Sequence, residues 1–318
     1  MAFTEQRTIN SPTGARLNVY VRQADTAPRA VVQINHGLAE HALRYARFAD
    51  MLSQHGYITY AYDHRGHGFT KAADAPQGRF AERDGGDKVL ADIDALHETI
   101  SREHRNLPLI IFGHSMGGII TLNYTLRQSS HLAGSAVWNA NFSAGALGQL
   151  AKLILIWERF RLGADMPSRL LPKLTFQAWG KAVPNHRTLF DWLSRDPAEV
   201  DKYIADPLSG WDASVSLWQD LFGFVFHGAS DANFTTVRKN LPFMLRGGER
   251  DPATDGGKAV VALANRMRAM GFSNLDSKVY AETRHESLNE INRDEAAEDF
   301  VRWADRVTGG RAANGAAA

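Results

Sequence analysis

Residues 110–122 read IIFGHSMGGIITL. Ser115 stands between Gly113 and Gly117, with an apolar, β-rich run before it (LPLIIFG, 107–113) and a helical pattern after it (Met116 to Gln128). Glycine on both flanks lets the chain reverse sharply, so the serine backbone is held strained and its hydroxyl projects at the carboxyl end of a strand. The free N–H groups at the start of the following helix point to the same place. An ordinary strand-to-helix turn with glycines for packing is the competing reading. The strand before and the helix after are the context that a reactive serine requires.

Working outward, AVVQIN (30–35), YITYAYD (57–63) and LAGSAVWNA (132–140) share the same character, apolar on nearly every residue. Such strands are buried on both faces, as in a parallel sheet covered by helices. Helical patterns alternate with them, from Ala42 to His55 and from Gly86 to His104. That alternation predicts right-handed βαβ units. Thr4 to Asn10 and Arg16 to Arg22, around the turn SPTG, read as a leading hairpin. From Asn141 to about Thr236 the alternation stops, and the chain is helical in pattern and rich in Trp, Phe, Leu and Pro. LPFMLRGG (241–248) and LDSKVYAE (275–282) resume the strand pattern, with helices expected over Thr254 to Met270 and Ser287 to Val307. The expected organisation is one core domain, 1–140 and 237–308, with a helical cap inserted at 141–236 and a disordered tail at 309–318.

The 318 residues hold 36 Lys and Arg against 35 Asp and Glu, a formal net charge of +1. That balance gives no reason to expect a nucleic-acid partner. There is no cysteine, which excludes disulfides, thiolate chemistry and Cys-based metal sites. No segment resembling a secretory signal is read at the start, and no window reaches the ~18 uncharged apolar residues of a membrane span. A soluble, cytoplasmic protein is expected.

A serine nucleophile needs a histidine base and an acid to orient it, in the chain order Ser, acid, His in a sheet of this kind. The strand LPFMLRGG runs into ERDPAT, which puts Asp251 at its carboxyl end; SKVYAE runs into TRHESLNE, which puts His285 at the equivalent place. Glu249 and Asp255 share the first loop as competitors, and Asp276 lies at the wrong end of its strand. The oxyanion of an acyl-transfer intermediate needs N–H donors. The backbone of Met116, after the serine, is one candidate. The backbone of Leu38, in the HGLAEH turn after the first buried strand, is the other.

NHGLAEHALRYARFADML, YAYDHRGHGFT, FGHSMGG, GERDPAT and TRHESLNE, in that order, resemble the monoacylglycerol lipase and lysophospholipase branch of the α/β-hydrolases, of serine aminopeptidase S33 type. The resemblance covers residues 5–140 and 237–306. It implies the α/β-hydrolase fold, a mostly parallel central sheet flanked by helices with an inserted helical cap. It also implies Ser115 as nucleophile, Asp251 as orienting acid, His285 as base, and an oxyanion hole from Leu38 and Met116. Asp63, Arg65 and His67 of DHRGHG are expected to brace loops, ahead of a zinc site built from His36, His41, His64 and His67. Leu147 to Trp157 reads as a buried cap helix, with an apolar lid against an acyl chain or lipid surface as the alternative. Arg159, Arg161 and Arg169 are expected on a solvated basic face, and Trp179, Trp192, Trp211 and Trp218 in the cap's walls and core.

The expected activity is cofactor-free serine hydrolysis of carboxylic esters, with small esters or single-acyl-chain lipids as substrate. A short-chain carboxylesterase, a carbon–carbon bond hydrolase or a transacylase would use the same three residues. A non-catalytic binding module on the same scaffold is the rival from another class.

Overall fold

The computed structural model describes residues 3–312. In chain order its elements are β1 (Glu5–Asn10), β2 (Arg16–Arg22), β3 (Ala30–Asn35), α1 (Ala46–Gln54), β4 (Tyr57–Tyr62), α2 (Gly85–Glu103), β5 (Leu109–His114), α3 (Met116–Gln128) and β6 (Gly134–Trp138). There follow α4 (Ala146–Leu162), α5 (Leu171–Leu174), α6 (Phe176–Ala182), α7 (Pro197–Ala205) and α8 (Val215–Ala229). The chain closes with β7 (Phe243–Gly248), α9 (Lys258–Ala269), β8 (Leu275–Tyr280) and α10 (Arg293–Ala312).

One eight-stranded sheet runs in the order β1-β2-β4-β3-β5-β6-β7-β8. The pairings β1–β2 and β2–β4 are antiparallel and the others parallel. Alternate residues of one strand feed two cores. Ile110 and Phe112 of β5 pack with Phe48, Leu52, Phe300 and Trp303 from α1 and α10. Leu109 and Ile111 pack with Ile93, Leu96, Ile120 and Leu221 from α2, α3 and α8. Burial on both faces is why these strands read as unbroken apolar runs. The strand order reverses between β3 and β5, because β4 lies on one side of β3 and all later strands on the other. In open parallel sheets the crevice at the carboxyl ends of such strands is where ligands bind.

Three expectations are corrected. The helix expected from Thr254 begins at Lys258, because Asp255, Gly256 and Gly257 all take positive φ (52°, 63° and 79°) and break the turn that starts at Pro252. The last helix begins at Arg293 after a single turn at Ser287–Asn289, and it continues through Ala312, past the expected start of the tail at 309. The remainder of that tail, 313–318, lies outside the described residues. Helix α4 is not buried: Leu147 is 82% exposed, Leu153 63% and Phe160 92%. Its buried side is only Gly148, Leu155 and Glu158. Glu158 accepts from Ser168 Oγ (2.5 Å) and from the N–H groups of Arg169 (2.8 Å) and Leu170 (3.0 Å), which anchors the chain leading to α5. Apolar residues all round a helix do not tell whether protein covers every face.

Candidate active site

Ser115 is the single residue between β5 and α3, with φ 55° and ψ −121°. A left-handed φ costs a non-glycine residue roughly 1–2 kcal/mol, so packing must enforce it. A Cβ on Gly113 would lie 2.1 Å from the Gly117 carbonyl oxygen, and one on Gly117 would lie 2.1 Å from the Asn35 carbonyl oxygen. The start of α3 therefore presses directly on the backbones of β5 and β3. Ser115 N–H donates to Trp138 O (2.9 Å) and Ile119 N–H donates to Ser115 O (2.9 Å), which locks the turn from both sides.

The two loops after β7 and β8 bring the other partners. His285 Nε2 lies 2.9 Å from Ser115 Oγ, and its Nδ1 lies 2.9 Å from Asp251 Oδ1. A carboxylate only accepts, so Nδ1 carries the proton and Nε2 presents its lone pair to the serine hydroxyl. Asp251 is fully buried and also accepts from Asn139 Nδ2 (3.0 Å), Thr254 Oγ1 (2.8 Å) and Ala253 N–H (2.9 Å). Burial pushes its carboxyl up, but the charge of His285 and these donors outweigh it and hold it below the ordinary range. It is ionised at neutral pH, as an orienting acid must be.

The cap holds the histidine loop. His285 N–H donates to Trp192 O (3.3 Å), Glu286 N–H to Leu193 O (2.8 Å), and Arg284 Nη1 to the carbonyls of Asp191 (2.6 Å) and Ser194 (2.9 Å). The Trp192 ring lies 4.8 Å from the imidazole and itself rests on Trp179 (4.9 Å) and Phe176 (5.6 Å, stacked). Trp218 packs on the same Phe176, while Trp211 leaves this cluster and meets His67 at 4.7 Å.

The turn after β3 lies against the serine. A Cβ on Gly37 would stand 3.4 Å from Ser115 Cβ and 2.6 Å from Glu40 Oε1, so any larger residue would displace the Glu40 carboxylate. The N–H groups of Leu38 and Met116 have no acceptor among the described residues. Two free donors therefore belong to the two segments that meet at Ser115. They leave room for a negatively charged oxygen next to it.

The remaining candidates are placed elsewhere. Glu249 accepts from Glu282 N–H (3.0 Å), Asp255 pairs with Lys258 (3.2 Å), and Asp276 pairs with Arg246 (2.9 Å) and Arg306 (2.6 Å). Asp63 accepts from Asn18 Nδ2 (2.8 Å) and from the N–H groups of Ala42 and Phe69 (both 2.9 Å). Arg65, fully buried, reaches Asp92 (2.7 Å), Thr13 (2.8 Å) and Phe80 O (3.0 Å), and His67 Nδ1 meets Arg65 O at 3.1 Å. These residues brace the loops around the turn. His36 uses both nitrogens, Nδ1 on Gly37 O (2.7 Å) and Nε2 as acceptor for His64 N–H (2.9 Å). Among the described residues no three His, Asp or Glu side chains converge as metal ligands. Arg159, Arg161 and Arg169 are exposed, with Arg161 over the Trp157 ring (4.7 Å). Sequence reasoning placed Trp192 in the cap without its contact with His285, and missed Asn139 and the side chains of Glu40, His114, Arg44 and Glu286 that surround the site. Glu40 stood in plain view in HGLAEH, but nothing in that stretch signalled its distant partners.

A family model described as serine aminopeptidase, S33, matches residues 26–292. A monoacylglycerol lipase of Mycolicibacterium smegmatis is 27% identical over 306 residues, covering 91% of this chain and 93% of that protein. A monoglyceride lipase of Rattus norvegicus is 26% identical over 229 residues, covering 72% of this chain and 67% of its own. Among solved structures, a thermostable carboxyl esterase from Bacillus coagulans superposes with a TM-score of 0.86 at 22% identity, covering 97% of this chain and 99% of that one. This last likeness is one of fold.

Proposed function

The chain belongs to the serine aminopeptidase S33 family, and on that premise we propose that it hydrolyses carboxylic esters of single-acyl-chain lipids through an acyl-enzyme on Ser115. The observation that carries the reading is the unbroken line Ser115 Oγ–His285 Nε2, His285 Nδ1–Asp251 Oδ1, with both links at 2.9 Å. His285 takes the hydroxyl proton as Ser115 attacks the acyl carbon, and Asp251 stabilises the imidazolium that forms. The N–H groups of Leu38 and Met116 receive the oxyanion. The alcohol leaves with the proton from His285, and water, deprotonated by the same imidazole, then releases the acid. These steps call on no metal or organic cofactor.

Relatives that are monoacylglycerol and monoglyceride lipases support the lipid substrate. So does the cap. Leu147, Leu150, Leu153, Trp157 and Phe160 form an exposed apolar face on α4, with the cationic Lys152, Arg159 and Arg161 on the same helix. An exposed patch of that kind on a helix suits transient contact with a lipid surface. Among the described residues no helix is long and apolar enough to cross a membrane. The reading keeps the cytoplasmic location expected from the sequence.

The test is hydrolysis of p-nitrophenyl esters of increasing chain length beside a monoacylglycerol. Rates should peak at medium or long chains, with the monoacylglycerol cleaved. Activity confined to the shortest esters would leave a short-chain carboxylesterase instead. Ser115→Ala should lower kcat by at least ~10³-fold with the fold intact. An active Ser115→Ala variant would refute the mechanism, and failure of a fluorophosphonate to label Ser115 would point to a binding module.

A further inference from the structure

Glu40 is a carboxylate only 4% exposed, on the turn that carries Leu38. A buried charge is costly unless it is fully partnered, and here every partner belongs to the catalytic surroundings. Oε1 accepts from Gly37 N–H (2.5 Å) and Tyr45 Oη (2.8 Å) and lies 3.6 Å from His114 Nδ1; Oε2 accepts from Arg44 Nη1 (2.7 Å). Arg44 then forks onto both oxygens of Glu286 (2.5 and 2.7 Å), the residue after His285. His114, the residue before Ser115, meets His285 O through Nε2 at 2.9 Å. Burial pushes the Glu40 carboxyl up, yet the neighbouring His114 and the charge of Arg44 hold it well below the ordinary range. Burial likewise lowers His114, but Glu40 outweighs it and raises that imidazole. The Arg44 guanidinium thus lies between the two carboxylates Glu40 and Glu286, with His114 beside Glu40.

The other side of the turn is fixed by the cap. Ala39, at a left-handed φ of 54°, gives its carbonyl oxygen to Gly210 N–H (2.9 Å) and Tyr203 Oη (3.0 Å), and the Tyr203 ring lies 4.8 Å from the Arg44 guanidinium. Glu40 on Gly37 and the cap on Ala39 therefore bracket the peptide that bears the Leu38 N–H.

We infer that Glu40 is a positioning residue for the oxyanion turn: its carboxylate sets the Gly37–Leu38 peptide against Ser115 and ties that turn to the loop of His285. The inference rests on Ser115 being the nucleophile. It makes the charge and the reach of residue 40 both matter. Glu40→Gln keeps the shape but must turn an N–H either toward Gly37 N–H or toward Arg44, so one contact becomes a clash of donors. Glu40→Asp keeps the charge but is one methylene too short to reach both.

The experiment measures kcat, KM, and the affinities of a trifluoromethyl ketone and of an uncharged long-chain alcohol for both variants, well below each unfolding midpoint. The ketone forms a tetrahedral adduct on the serine and needs the oxyanion hole, whereas the alcohol carries no negative oxygen for it. Both variants should lose about 10- to 100-fold in kcat, part of the 10²–10³-fold expected for deleting one oxyanion donor outright. The ketone affinity should fall by the same factor, with KM and alcohol affinity unchanged. Unchanged kcat and ketone affinity in Glu40→Gln, with Ser115→Ala inert, would overturn this inference alone. Equal losses for ketone and alcohol would also overturn it, because Glu40 would then serve general binding or packing. An active Ser115→Ala enzyme would instead remove the premise.

Discussion

Asp220 joins the cap to the core at a place where its charge is unwelcome. It lies on α8 with its carboxylate against the amino terminus of α2, where it accepts from Gly86 N–H, and a Cβ on Gly85 would stand 2.1 Å from its Oδ2. Burial, together with the nearby Asp84 and Asp87, raises its pKa to about 6, against the pull of Gly86 N–H and Arg159. The native chain therefore holds a proton here at pH values where the unfolded chain, ionising near 3.8, has lost it. The stability this gives is full below about pH 4 and is lost as pH rises through about 6. The interval between the two values corresponds to about 3 kcal/mol at ~1.36 kcal/mol per pH unit. Partial exposure of the side chain reduces this to about 1–3 kcal/mol. Ionised Asp220 also gains about 0.5 kcal/mol from the helix dipole, too little to reverse the sign. Asp220→Asn keeps an acceptor for Gly86 and cannot ionise. Urea unfolding should find it more stable than the parent by about 1–2 kcal/mol at about pH 8 and no more stable at about pH 4. A variant equal to or weaker than the parent at the higher pH would refute the reasoning, as would a gain of the same size at both.

Two other substitutions test the site and the cap. Asp251→Asn should fold normally by circular dichroism but lose about 10⁴-fold in kcat, because an amide donor at Oδ1 favours the wrong imidazole tautomer; a loss of under about tenfold would mean Asp251 does not orient His285. Leu153→Glu with Phe160→Glu places two charges on the exposed face of α4. At about 1.5–3 kcal/mol per apolar side chain buried, sedimentation with phospholipid vesicles should weaken at least ~100-fold. Hydrolysis of a water-soluble short ester should stay at the parental rate, and equal vesicle binding by both proteins would remove α4 as the contact.

Much of the sheet was legible because burial on both faces leaves short, β-rich apolar runs in β3 to β6. Gly113 and Gly117 were legible for a related reason: a close approach admits only glycine, so geometry writes itself into the sequence. The break before α9 was not. Ala259, Val260 and Leu263 continue an apolar helical spacing, and the left-handed run Asp255–Gly256–Gly257 interrupts it without altering that pattern. Helix α4 failed differently. Its apolar residues were visible, but whether they face protein or solvent depends on what packs there, and α8 covers only one narrow side.

The site divides along the same physical line. Ser115, Asp251 and His285, which the structure brings together, could be nominated because each follows a strand, and strand ends can be located from local pattern. Their supports act across the chain and through the backbone. Asn139 reaches Asp251 over 112 positions and Arg44 reaches Glu286 over 242, with no local signature for either. Residues 191–194 hold the histidine loop with four carbonyl oxygens, and Gly210 holds Ala39 with an N–H. Backbone groups are the same whatever the side chain, so these bonds leave almost no trace in residue type. The cap therefore carries two kinds of information. Its later part, 191–211, sets the geometry of the site through groups a sequence does not display. Its earlier part, α4, meets the surroundings through side chains that a sequence does display.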